Sequence, residues 1–113
     1  MARRLRFVLR MQRIHIIADH KAIGSQACTY AEYRLFSALT RHPLKFRRAR
    51  VLLRPSKDCG AFARVTCAVS VALDPSGSVR VRVTGPHVYA AINRAIERLG
   101  CAVDEHIEQR RSS

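Results

Sequence analysis

Apolar and polar residues alternate along four stretches of the chain, and in two longer stretches the apolar positions recur every three to four residues. The first alternation starts at Arg13: Ile14, Ile16 and Ala18 point one way and Arg13, His15 and Ile17 the other, the period of a strand. After a connection over 19–24, Ser25 is placed to cap a helix reaching about Arg41, in which Cys28, Ala31, Leu35 and Leu39 form one apolar stripe. His42-Pro43 ends it, because the residue before a proline is pushed out of the helical region. The second alternation sets Ala49, Val51 and Leu53 against Arg48, Arg50 and Arg54, and Pro55 closes it. A loop with Lys57, Asp58 and Gly60 leads to the longest alternation, 63–73, with Val65, Cys67, Val69, Val71 and Leu73 opposite Arg64, Thr66 and Ser70. Asp74-Pro75-Ser76-Gly77 has the residue order of a type I turn, so a hairpin is predicted, with Val79, Val81 and Val83 opposite Arg80, Arg82 and Thr84. Gly85-Pro86 stops that strand, and proline suits the first turn of a helix. There Ile92, Ile96, Leu99, Val103 and either His106 or Ile107 make the last stripe, with Asn93, Arg94, Glu97 and Arg98 outside it and Gly100 weakening it modestly.

The predicted order is β-α-β-β-β-α, an α+β fold with a four-stranded mixed sheet and two helices packed on one face. The other face then displays Arg13, Arg48, Arg50, Arg54, Arg64, Arg80 and Arg82 together with His15. A one-residue slip in register would exchange the two faces, so the assignment rests on the apolar sets forming the core.

Charge gives that face a meaning. The 113 residues suit one domain, and 21 Lys+Arg against 8 Asp+Glu leave a net charge of +13, carried almost wholly by arginine. A genomic base bias could favour arginine over lysine, but it would not explain so few acids. The planar guanidinium binds phosphate through two parallel hydrogen bonds and stacks on bases, so a nucleic acid is the expected partner, ahead of an anionic membrane surface. No apolar run approaches the roughly 20 residues that span a bilayer. The first ten residues have no apolar signal region, although they are basic enough to resemble part of a transit peptide, and the cytoplasm is the expected location. Cys28, Cys59, Cys67 and Cys101 form no Cys-x-x-Cys pair, so no metal or other cofactor is expected, and three of them fall in apolar segments as small hydrophobes. Cys59 near Lys57, with five histidines in the chain, is the best case for catalysis, but nothing positions these groups together and an enzyme is not expected.

The segment Tyr89-Ala90-Ala91-Ile92-Asn93, followed by Ile96-Glu97-Arg98-Leu99, resembles the signature that opens the last helix of the ribosome hibernation promoting factor family, in its short form. In that family a Met-Tyr-x-Ala-Ile-Asp/Asn segment follows the fourth strand and leads into Ile-x-Lys-Leu. The element order and length agree, so the resemblance covers about Met11 to His106; Met11-Gln12 looks like the family's usual start, which makes residues 1–10 a basic extension, 11–108 the domain and 109–113 a tail. The resemblance implies a translation inhibitor of stress or stationary phase. It would occupy the small ribosomal subunit near the decoding channel, contact ribosomal RNA phosphates and exclude messenger and transfer RNA, as a monomer away from the ribosome. The length is that expected of a short-form member, without the additional domain with which long-form members pair ribosomes. Two departures stand out: Pro86-His87-Val88 precedes the tyrosine, and Asp104, Glu105 and Glu108 replace the basic end of the family's last helix.

The expected RNA-contacting residues are therefore Arg13, Arg48, Arg50, Arg54, Arg64, Arg80 and Arg82 on the sheet, with Arg94 and Arg98 on the last helix. No aromatic pair of the kind that RNA-recognition sheets use is visible, so shape and phosphate recognition is expected over sequence reading. The alternative is a general RNA-binding or RNA-chaperone module.

Overall fold

In a computed structural model, which describes residues 5–8, 13–18, 23–41, 45–56, 64–74 and 76–112, the alternating stretches are strands and the two striped stretches are helices. The order is β1 (Leu5–Val8), β2 (Ile14–Ala18), α1 (Ser25–Arg41), β3 (Phe46–Pro55), β4 (Val65–Leu73), β5 (Ser78–Gly85) and α2 (Val88–Ser112). The β-α-β-β-β-α order and the mixed sheet stand as expected from β2 onward. β2 runs parallel to β3, and β4 and β5 follow antiparallel. A parallel pair needs a crossover, and α1 supplies it.

Two boundaries differ from expectation. The first ten residues, read as an extension, contribute β1, which pairs antiparallel with β2 and extends the sheet to five strands in the order β1-β2-β3-β4-β5. At the other end α2 continues through Ser112, into the stretch expected to be a tail.

The core lies between the helices and one face of the sheet. Ile14, Ile16, Val51, Leu53, Val69, Val71 and Leu73 are almost fully buried against Leu35 and Leu39 of α1 and Ile92, Leu99 and Val103 of α2. Each such side chain contributes roughly 1.5–3 kcal/mol by leaving water. Both predicted stripes are therefore the packed sides of their helices, with Ala27, Ala91 and Ala95 letting the backbones come close. His106 and Ile107 are both half-buried.

The helix starts are built differently from the sequence expectation. The Cys28 N–H donates to the Gly24 carbonyl (3.3 Å), so Gly24, one residue before Ser25, occupies the capping position of α1. α2 begins after Pro86, where the His87 carbonyl accepts from the Ala91 N–H (3.0 Å) and the His87 Nδ1 accepts from the Ala90 N–H (3.2 Å). A histidine thus does what Ser or Asp usually does at a helix start. Just before it, β5 comes so close to α2 that a Cβ on Gly85 would lie 2.7 Å from the Ala91 nitrogen. The β4–β5 hairpin closes through the Leu73 N–H donating to the Gly77 carbonyl (2.9 Å), and Gly77 has φ of 96°, where other residues are strained.

Tyr89 stands edge-on to Tyr30 of α1, with ring centroids 5.3 Å apart, and Tyr30 donates its hydroxyl proton to Asn93 Oδ1 at 2.6 Å. This contact ties the two helices together.

Candidate nucleic-acid interface

The register fixes which side chains share the uncovered face of the sheet. Arg50 lies opposite Ser70, and Ser70 opposite Arg80; Leu52 lies opposite Ala68, and Ala68 opposite Arg82. The next rows are Arg54–Thr66–Thr84 on one side and Arg48–Ala72–Ser78 on the other. On β2, His15 pairs with Arg50 and Ile17 with Leu52. Because the neighbouring core-facing residues Val51, Val69 and Val71 are buried, the predicted faces are the right way round.

The arrangement of charge is more specific than a uniform basic surface. Outward positions on β4 are small, Ala68, Ser70 and Ala72, while β3 and β5 carry the arginines on either side. The result is a trough along β4. Its central cleft, about 310 Å³, is lined by Arg50, Leu52, Ala68, Ser70, Arg80 and Arg82 together with Val69 and Val81. Arg50 and Arg80 sit two strands apart, roughly 9.5 Å between backbones. At that spacing two unit charges repel by only about 0.4 kcal/mol in water. Among the described residues, none of Arg48, Arg50, Arg80 and Arg82 is paired with a carboxylate. At one end of the trough the hydroxyls of Thr66 and Thr84 are 3.2 Å apart, which satisfies the buried Thr66.

The remaining expected cations are dispersed. Arg54 is half-buried and Arg64 is exposed where β4 begins. Arg13 is held at the end of the sheet: Nη1 donates to the Phe46 carbonyl (3.2 Å), and the guanidinium lies 4.9 Å from the centre of the Phe46 ring. Arg94 donates to the Thr84 carbonyl (3.2 Å) and lines, with Arg82, Glu97 and Arg98, a groove of about 510 Å³ beside β5. That groove is continuous in residues with a second, of about 330 Å³, where Arg80, Arg82 and Arg98 meet Cys101 and Glu105. Arg82 thus borders all three hollows, and Arg98 two of them.

Sequence reasoning missed three things here. The apolar floor of the trough, Leu52 and Ala68 with Ile17 beside it, has no signal in the alternation, because these residues lie on three different strands and meet only through the register. Arg47, which lies at an irregularity in the β3–β4 register and donates to the Leu73 carbonyl (3.2 Å), was not singled out, since a bulge leaves no trace in a two-residue period. Cys101 is exposed, whereas Cys28 and Cys67 are buried hydrophobes as expected. Burial raises the Cys28 thiol above its usual range and pushes Cys67 up to about 12. Cys59 lies outside the described residues. Among the described residues no cluster of His, Cys, Asp and Glu could hold a metal ion, and no helix is long and apolar enough to cross a membrane.

With this geometry in place, comparison with known proteins adds one finding. Residues 14–111 match the family model described as sigma 54 modulation protein / S30EA ribosomal protein, which spans β2 to α2 and leaves β1 outside. No match was found among curated proteins.

Proposed function

Because the chain belongs to the sigma 54 modulation / S30EA ribosomal protein family, that of the ribosome hibernation promoting factors, we propose that it inhibits translation by occupying the small ribosomal subunit. The family is ribosome-associated and non-enzymatic. On our reading the partner is small-subunit RNA near the decoding channel, and bound protein excludes messenger and transfer RNA under stress or in stationary phase, in the compartment where ribosomes work.

The observation that carries this reading is the trough: Arg48, Arg50, Arg80 and Arg82 rise from β3 and β5 on either side of the small outward residues of β4, without carboxylate partners among the described residues. A rigid sheet presents such charges at fixed spacing, which suits a folded RNA whose phosphates are equally fixed. Arg54, Arg64, Arg94 and Arg98 border it, and Arg13 extends it at the sheet end. The acidic end of α2, with Glu105 beside Arg98 and Cys101, directs RNA toward the sheet and away from that end of the helix.

Co-sedimentation with purified small subunits over a salt series, with and without bound messenger and transfer RNA, tests the proposal. One-to-one binding that is lost when the channel is occupied is the expected result. Binding that ignores occupancy and follows total RNA would replace it with a general RNA-binding or RNA-chaperone role.

A further inference from the structure

Building on the RNA-binding reading above, we propose that the trough over β4 is a nucleotide site, which takes one unpaired nucleobase onto Leu52 and Ala68 and its phosphate onto Arg50 and Arg80. Phosphate contacts alone do not account for the shape of this surface. A phosphodiester backbone gains nothing from an apolar floor, and laying a hydrated backbone across Leu52 and Ala68 would leave that floor facing water. The flat face of a base covers it.

Size, charge and chemistry agree. A cleft of about 310 Å³ is at the small end of ligand sites, so it suits a single nucleotide and excludes a helix or duplex. No acidic residue lines it among the described residues, whereas the two grooves beside β5 contain Glu97 and Glu105, which repel phosphate. Arg82 opposite Ala68 borders the floor, where its guanidinium can stack on a base seated there, and the Ser70 hydroxyl can donate to or accept from the base edge. The recognition is sequence-tolerant, because every base has such a face. It adds a stacked base to the expected shape and phosphate recognition without reading sequence. The same chemistry serves a nucleotide within an RNA strand or a free mononucleotide.

The test uses the intact chain with two short probes of equal phosphate number, an oligouridylate and its abasic ribose-phosphate counterpart. The oligouridylate should bind about tenfold more tightly, the worth of one stacked base. Ala68→Leu, which fills the floor, should abolish that preference and bring the two probes to equal affinity; Leu52→Ser, which removes the apolar surface, should do the same. Melting curves on both variants verify the fold. Uridine monophosphate competing better than ribose 5-phosphate would support the same site and extend it to free nucleotides. Equal affinity for the two probes, or a preference that survives in both folded variants, would overturn the nucleotide site and leave phosphate binding intact. Failure of both probes to bind even at low salt would instead remove the RNA-binding reading on which this site rests.

Discussion

Cys67 shows how one buried atom makes this fold sensitive to base. Its side chain faces the core from β4, and the surroundings disfavour a thiolate so strongly that the pKa moves from 9.0 to about 12. In the unfolded chain the thiol ionises near its usual value, so the unfolded state releases a proton that the folded state retains. Stability is therefore undiminished below about pH 9 and falls as pH rises toward 12, by up to about 4 kcal/mol over the whole window. Urea titrations between pH 8 and 10.5 should show a steeper decline for the native chain than for Cys67→Ala, whatever the variant's own stability at neutral pH. Parallel slopes would show that Cys67 does not titrate as its burial requires. The position of this residue was plain in the sequence, because Cys67 keeps step with Val65, Val69 and Val71. Cys101 was misjudged as buried because a helix offers a residue near the edge of its apolar stripe to either side.

At the scale of elements, the junction of β5 and α2 holds the geometry of the grooves. Gly85 is buried where the strand passes under the first turn of the helix, and His87 closes that turn with its Nδ1. Gly85→Ala should cost roughly 1–3 kcal/mol, the usual penalty of forcing volume into a packed site, because the atoms it meets are backbone and cannot swing away. His87→Asn, which keeps a short side-chain acceptor at the cap, should stay close to the native midpoint in the same denaturation series. A Gly85→Ala protein as stable as the native chain would mean that the two elements can separate at little cost. The strands and helices themselves were legible because their apolar periods are long and regular. β1 was not: four residues, Leu5–Val8, flanked by arginines, give too short a period to tell from a charged tail, and only pairing with β2 makes it a strand. Helix starts were misplaced by one or two residues because a glycine carbonyl and a histidine ring took roles that the sequence suggested for serine and proline.

For the whole molecule, the question is whether the cations act as one surface. Four of them, Arg48, Arg50, Arg80 and Arg82, are exposed and face away from the core. Replacing all four with Ser should leave the melting midpoint within a few degrees and reduce the slope of log affinity against log salt by about 3, at 0.7–0.9 per lost phosphate contact. A native slope of roughly −4 to −5 corresponds to six phosphates in all. Unfolding of the variant would place these side chains in the structure's support, and an unchanged slope would move the interface elsewhere. That the arginines share a face could be read from alternation alone. That they flank a trough could not, because strand order is a long-range fact: only after β4 is seen between β3 and β5 do the two sets of arginines face each other across its small residues.

The same strand order also bears on how the chain reaches its native state. Every neighbour in the sheet is a neighbour in sequence, β1 to β2 through to β4 to β5, and β3, β4 and β5 form a continuous antiparallel meander. Loop closure for that meander is short, so topology predicts that its pairing precedes the parallel docking of β2, which needs α1 folded across the sheet. The trough is contained wholly within the meander. On that order it would be complete before β2 docks, so φ-values near one across β3–β5 and near zero in β2 are the expected outcome of a mutational folding series.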